Sequence, residues 1–210
     1  FDHSLKEKDD VFESKNGKFV TRIAKVHKGK QVDISKADKQ ISWEYLGKQG
    51  VAVANEENKI AAETVLKVNS ATACYAKNIN SSAVYENIES DTDFEYCLLG
   101  NNLKENIIVK ERSAGYRYLF ALKTEGLKLR LSEDNESLEL YTESEDADGI
   151  VKQQVEFSIP SPYMYDANGV ASDEVYYELE TTEAGKYAFA VVASEEWINA
   201  VDRAFPVTID

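Results

Sequence analysis

The sequence of 210 residues is poor in cysteine, proline and histidine, with two, three and two of them respectively. Two cysteines are too few for a disulfide scaffold, and their spacing fits neither a Cys-x-x-Cys redox motif nor a zinc site. Cys74 and Cys97 both stand in apolar contexts that suit a small core residue. We therefore predict two buried, unbridged thiols, with a single bridge as the alternative.

Long apolar runs are also missing. The longest uncharged one covers residues 188–193, far below the roughly 20 residues that cross a membrane. We therefore expect no direct membrane insertion. The chain begins at Phe1 and shows no signal-like segment, so we expect a trimmed piece of a longer extracellular protein whose targeting signal lies elsewhere.

Basic residues are outnumbered by acidic ones, 24 against 38, which gives a net charge of −14. A surface of this sign repels phosphate backbones and anionic lipid. The composition thus predicts no nucleic acid among the partners. The acidity itself is typical of a soluble surface and does not require a cation-collecting role.

What the sequence does contain is an alternation of apolar and polar residues with period two, which indicates half-buried β-strands. Turn signals rich in Gly, Asn and Asp separate these runs at strand-length intervals. The runs 116–122 and 127–131 are predicted to pair across a turn at 124–126. The pattern predicts an all-β fold of packed antiparallel sheets, arranged as a large sandwich. The clearest alternations lie at 41–45, 94–98, 116–122, 127–131, 155–159 and 175–179.

Two segments favour helix: residues 58–68 by propensity, and a short C-terminal helix capped by Ser194. We predict that Trp197 packs this second helix onto the sheet and that 205–209 closes the sheet as a strand. Because Pro206 lacks an N–H donor, that strand should lie at an edge or turn the proline nitrogen outward.

No linker or repeat marks a domain boundary in this sequence. We predict one β-sandwich over residues 1–210. The alternative is an N-terminal lobe over 1–112 and a C-terminal lobe over 113–210, with the junction near 111–115.

Residues that could carry hydrolytic chemistry are few. The two imidazoles are His3, near the start of the chain, and His27, beside a Lys-Gly turn where an exposed histidine is the usual outcome. A glycosidase needs only a carboxylate pair, and Glu139, Glu143 and Glu145 are available, but their strand pattern is that of a solvated face. We predict no catalytic residues.

Residues 144–149 resemble the start of an EF-hand loop, with Asp146 and Asp148 at positions three and five if Gly149 is at six. Position one is then Ser144 and position twelve is Val155, so the bidentate carboxylate is missing. We predict an acidic hairpin loop and no metal site. The Asn-Gly pair at 168–169 likewise predicts a hairpin turn.

Exposed aromatic residues offer one binding alternative. Tyr163 and Tyr165, on either side of Met164, could stack against sugar rings, as could Trp43. Packing in the core or at an edge is the favoured interpretation. The binding residues therefore stay unknown from the sequence.

A set of sequence blocks covers most of the chain: residues 157–169, 185–187, 196–198 and 203–210, with further blocks at 40–43, 84–88, 93–96 and 103–108. In these blocks the chain resembles the module that precedes RHS/YD-repeat arrays and DNRLRE domains in large wall-associated surface proteins of Gram-positive bacteria. This resemblance implies a place on or outside the cell wall and a passive position in a long modular protein, and it offers no catalytic residues.

Together these observations predict a non-catalytic structural or adhesive module of a secreted or cell-wall-associated bacterial surface protein, without a cofactor. The alternatives are a carbohydrate-binding module and a glycan-active enzyme with an unrecognised carboxylate pair. The expected partners are neighbouring modules of the same polypeptide and cell-wall or host glycan.

Overall fold

The computed structural model describes residues 4–15, 18–49, 71–76 and 80–210, which form eighteen strands and one short helix. The strands, in chain order, are β1 (Leu5–Glu7), β2 (Val11–Ser14), β3 (Val20–Ala24), β4 (Val32–Lys36), β5 (Lys39–Gln49), β6 (Ala73–Tyr75), β7 (Ser82–Glu89), β8 (Thr92–Leu99), β9 (Asn102–Val109), β10 (Arg117–Glu125), β11 (Lys128–Leu131), β12 (Leu138–Glu145), β13 (Val151–Ile159), β14 (Met164–Tyr165), β15 (Ala171–Ser172), β16 (Val175–Glu183), β17 (Lys186–Ala193) and β18 (Val207–Ile209). The helix is α1 (Glu195–Ile198).

The strands assemble into three sheets. An eight-stranded sheet runs β1-β2-β3-β4-β5-β10-β17-β16, and a seven-stranded sheet runs β15-β14-β18-β9-β8-β7-β6. A three-stranded sheet, β11-β12-β13, completes the fold. The pairings within these sheets are antiparallel, for example β5 with β10 and β8 with β9. The predicted all-β fold with a short C-terminal helix is confirmed.

The two large sheets share an aromatic core. Phe120 on β10 is fully buried, and its ring stacks on Phe189 of β17 at 4.8 Å between centroids. Across the core, Tyr45 of the eight-stranded sheet meets Phe94 of the seven-stranded sheet at 4.5 Å. Such tilted and offset ring pairs are the favoured aromatic geometries, and they join the sheets face to face.

The predicted pairing of 116–122 with 127–131 is wrong. β10 lies between β5 and β17, whereas β11 pairs with β12 in the three-stranded sheet. Both edges of β10 are occupied, by β5 and β17, and each of these strands is longer than the four-residue β11. The chain therefore leaves the sheet after Glu125. Gly126 makes this exit with φ of +66° and a position so close to the Asp38 carbonyl oxygen that a Cβ would lie 2.7 Å from it.

The C-terminal helix forms as predicted, with the Ser194 hydroxyl oxygen accepting the Trp197 N–H at 3.2 Å. Trp197 is partly buried and packs against the hydrophobic core, as predicted, and its neighbour Ile198 is fully buried. The Arg203 guanidinium lies over the Trp197 ring, 3.6 Å from its centroid. The other predicted helix, 58–68, lies outside the described residues.

The closing strand β18 has Val207 and Ile209 buried on one face, as the alternation predicts. It is not an edge strand, however, because it lies between β14 and β9. Pro206 precedes the strand rather than standing inside it, so the missing N–H removes no ladder bond.

Each large sheet contains strands from both sides of the 112/113 boundary, since β5 pairs with β10 and β9 pairs with β18. The number of domains stays a prediction.

Candidate functional site

A carboxyl group lies between the two large sheets, at Glu105 on β9. Tyr96, its partner on β8, is fully buried, and the Trp43 indole of β5 donates its N–H to Glu105 Oε2 at 3.1 Å. The residue as a whole keeps a partly exposed surface, but protein surrounds its carboxyl group. Leu103, Glu105 and Ile107 stand two residues apart on β9, so they lie on the same face of the strand. A glutamate on an apolar face is the feature by which the sequence could have indicated this site.

Burial raises the pKa of Glu105 to about 6, from an ordinary value of 4.5, although the nearby Tyr96 hydroxyl and the Trp43 N–H favour the ionised form and oppose the rise. Among the described residues, no lysine or arginine forms an ion pair with this carboxylate. A carboxyl group without a cation in a poorly solvated site favours its neutral form. Raised carboxyl pKa values of this kind mark functional candidates.

The second polar cluster lies at one end of the sandwich, around Lys48 of β5. Its ammonium group pairs with Asp91, in the turn between β7 and β8, and donates to Ser113 Oγ at 2.5 Å. It also lies 5.0 Å from the ring centroid of Tyr116. Burial opposes the ionisation of Asp91, but hydrogen bonds from Lys48 and Ser113 lower its pKa overall.

This cluster has the residue types of a serine nucleophile with a lysine base, but its charges do not suit that role. A lysine base must be neutral to take the hydroxyl proton. Lys48 Nζ is instead ion-paired with the Asp91 carboxylate, and the two side chains are only 11% and 7% exposed. Lys48 therefore joins the two sheets as a cation.

His27, predicted to be exposed, is buried at 8% exposure. Its Nε2 lies 3.0 Å from the Tyr45 carbonyl oxygen, and its ring meets the rings of Tyr45 and Tyr85. Burial lowers the pKa of His27, against the opposing effect of the Tyr45 carbonyl. His3 lies outside the described residues.

Two of the three glutamates of β12 form ion pairs with basic side chains of β11. Glu139 pairs with Arg130 at 2.8 Å, and Glu143 pairs with Lys128. Glu143 and Glu145 are exposed. The solvated-face interpretation fits this arrangement.

The loop 144–149 is the turn of the β12–β13 hairpin. Asp146 Oδ1 accepts the N–H groups of Asp148 at 3.1 Å and Ile150 at 3.0 Å, so this carboxylate closes the turn. Within the part of the chain that the structure describes, no group of three or more His, Cys, Asp or Glu could hold a metal ion. The pair 168–169 likewise forms the β14–β15 turn.

The aromatic candidates are divided between surface and interior. Tyr163 is 44% exposed and stacks on Tyr165 at 6.0 Å between centroids, while Met164 between them is fully buried. Trp43 is partly buried and bonded to Glu105.

The predicted burial of both cysteines is wrong. Cys74 is exposed on the edge strand β6, and Cys97 is partly buried, with the Ser82 hydroxyl 2.8 Å from its sulfur. Both are free thiols. Ala73 is buried and Cys74 is exposed, so the alternation of β6 turns Cys74 to the face opposite Ala73.

A cavity on the outer face of the eight-stranded sheet has a volume of about 310 Å³. Its floor is polar, with Ser42, Glu44, Lys123 and Glu125 among the lining residues. Acidic and basic side chains are mixed there, so the charge of the cavity does not favour a ligand of either sign.

No helix of the described residues is long and apolar enough to cross a membrane.

Comparison with known proteins gives the first information on activity. The chain is 30% identical over 161 residues to the tRNA(Glu)-specific nuclease WapA of Bacillus subtilis subsp. natto and, equally, to the tRNA nuclease WapA of Bacillus subtilis strain 168. It is 29% identical to the tRNA3(Ser)-specific nuclease WapA of Bacillus spizizenii. The chain is similar to part of these nucleases. The alignments cover 73% of this chain and 6% of each relative.

No family model matches the chain, and no solved structure matches it significantly. The WapA names correct three predictions made from the sequence. A non-catalytic structural or adhesive module, the absence of enzymatic activity and the exclusion of nucleic acid partners are all contradicted, because the relatives are named as nucleases of tRNA. The net charge of −14 describes this chain alone, and the alignment covers 6% of those proteins, so that charge contains no information about the charge of the rest of them.

Proposed function

We propose that this chain is a β-sandwich segment of a longer polypeptide that cleaves tRNA. The observation that carries the proposal is the 30% identity over 161 residues with WapA nucleases. That identity extends over 73% of the chain, so it concerns most of the sandwich rather than one hairpin. The comparison assigns no cleavage residue within the segment.

The test is cleavage of purified tRNA by the full polypeptide that contains this chain. We expect discrete fragments on a denaturing gel, with a DNA hairpin of similar length left intact. The same polypeptide without residues 1–210 measures what the segment contributes to the rate. Intact tRNA after incubation with the full, folded polypeptide would contradict the proposal.

We also propose that the chain lies before a repeat array in a wall-associated protein. The support is the resemblance carried by residues 157–169, 185–187 and 203–210. An antibody raised against the chain should detect it in the wall fraction of the producing cells. Detection in the cytoplasmic fraction alone would contradict this placement.

A further inference from the structure

The Glu105 carboxyl group lies between the two large sheets, so a change in its charge acts on residues of both. It projects from β9 in the seven-stranded sheet and accepts the Trp43 N–H from β5 in the eight-stranded sheet at 3.1 Å. Close by, the fully buried Tyr96 hydroxyl has no hydrogen-bond partner of good geometry among the described residues. The carboxyl and this hydroxyl still influence each other's pKa.

Few other groups in the described residues can compensate a charge at this position. Tyr96 faces it from β8 and Tyr177 from β16, and burial keeps both phenols neutral by raising their pKa values far above neutrality. The nearby ammonium of Lys104 is bound to Asp210 at 2.6 Å, and strand alternation puts Lys104 on the opposite face of β9 from Glu105. An ionised Glu105 therefore has N–H and O–H dipoles around it but no cation.

We propose that Glu105 makes the junction between the two sheets proton-operated: the folded sandwich is most stable when the carboxyl is protonated and loses stability when it ionises. The protonated carboxyl keeps an oxygen for the Trp43 N–H and removes the unpaired charge from the sandwich. Ionisation leaves that charge in a poorly solvated site, which costs free energy. The contact is a property of the fold and does not depend on the proposed tRNA cleavage.

The sign of the pH dependence follows from the direction of the pKa shift. The folded-state pKa of about 6 lies above the ordinary 4.5, so the stabilisation is complete below pH 4.5 and is lost as the pH rises through 6. The sheets should therefore be held most firmly in mildly acidic solution.

Tryptophan fluorescence gives a direct test, because Trp43 and Trp197 are the two tryptophans of the chain. In the Trp197→Phe variant, Trp43 is the remaining reporter, and its emission should change with a midpoint near pH 6. The transition should vanish in Glu105→Gln and persist in His27→Gln. A transition that survives Glu105→Gln, or none between pH 5 and about 7.5, would overturn the proposal.

Thermal unfolding provides a second measurement that does not rely on a reporter. We expect Glu105→Gln to raise the melting temperature at pH 7.5 by about 2–6 °C and to change it little at pH 4.5. Glu86→Gln, on the exposed face of β7 in the same sheet, is the matched control. It should change the melting temperature by the same amount at both pH values. Equal effects of the two substitutions at both pH values would contradict the proposal.

Discussion

At the scale of single residues, two buried titratable side chains respond to acid in opposite directions. Glu105 favours its protonated form because burial raises its pKa. His27 favours its neutral form because burial lowers its pKa. The pH dependence of the whole protein near neutrality is then a difference between two effects, and each must be measured with the other removed.

The first prediction concerns His27 in a Glu105→Gln background. The folded-state pKa of His27 lies below its ordinary 6.5, so the unfolded chain takes up the proton more readily. The stability due to the neutral imidazole is complete above pH 6.5 and is lost as the pH falls through the folded-state pKa. We expect the melting temperature to fall between pH 7.5 and about 5.

The matched variant is His27→Gln, whose amide can still donate to the Tyr45 carbonyl oxygen but carries no titratable charge. Its melting temperature should depend less on pH over the same range. An identical pH dependence in the two proteins would show that His27 does not carry the acid sensitivity.

The sequence predicted side-chain burial well where the alternation was regular and poorly where it met an edge or a turn. Phe94 and Tyr96 are buried as the period of two requires. His27 packs against the rings of Tyr45 and Tyr85, and its backbone N–H donates to the Ala71 carbonyl oxygen at 2.9 Å, so its surroundings come from residues distant in sequence. Local pattern contains no information about such contacts.

At the scale of elements, Gly126 decides which sheet the chain enters after β10. Its φ of +66° is strained for any residue with a side chain, and a Cβ would approach the Asp38 carbonyl oxygen to 2.7 Å. The second prediction is that Gly126→Ala lowers the free energy of unfolding by about 2–4 kcal/mol, measured by chemical denaturation.

Gly169 supplies the control for that measurement. It has a similar φ of +80°, but no atom lies within 4 Å of the position of a Cβ. Gly169→Ala should therefore cost only the backbone strain, about 1 kcal/mol. If both substitutions cost the same, the close approach to Asp38 contributes nothing to the exit from the sheet.

The positions of many strands were predictable, but their neighbours were not. Alternation located β8, β10 and β16, because one buried face dictates the period of two. The pairing of β10 with β5 joins residues such as Phe120 and Tyr45 that are far apart in sequence. A hairpin prediction favours the nearest strand, and that bias produced the incorrect pairing of β10 with β11.

At the scale of the whole molecule, the two large sheets are joined by an aromatic core and by polar contacts at its borders. Glu105 and Trp43 form one such contact, and Lys48 with Asp91 forms another at the end of the sandwich. At the same end, the side-chain amide of Asn199, the C-cap residue of α1, donates to the Ser113 carbonyl at 2.9 Å, and the Tyr116 hydroxyl donates to Asn199 Oδ1 at 2.7 Å. These bonds hold the segment 110–116 against the end of α1.

The last prediction tests the Lys48 contact by a double-mutant cycle. Lys48 and Asp91 expose 11% and 7% of their side chains, so removing one partner leaves a poorly solvated charge. Lys48→Met should lower the free energy of unfolding at pH 7 by about 3 kcal/mol, because Asp91 then keeps its charge without a cation. Asp91→Leu in the same protein removes that charge, so the double variant should recover most of the loss. Additive losses in the double variant would show that the two side chains act independently and that the pair does not join the sheets.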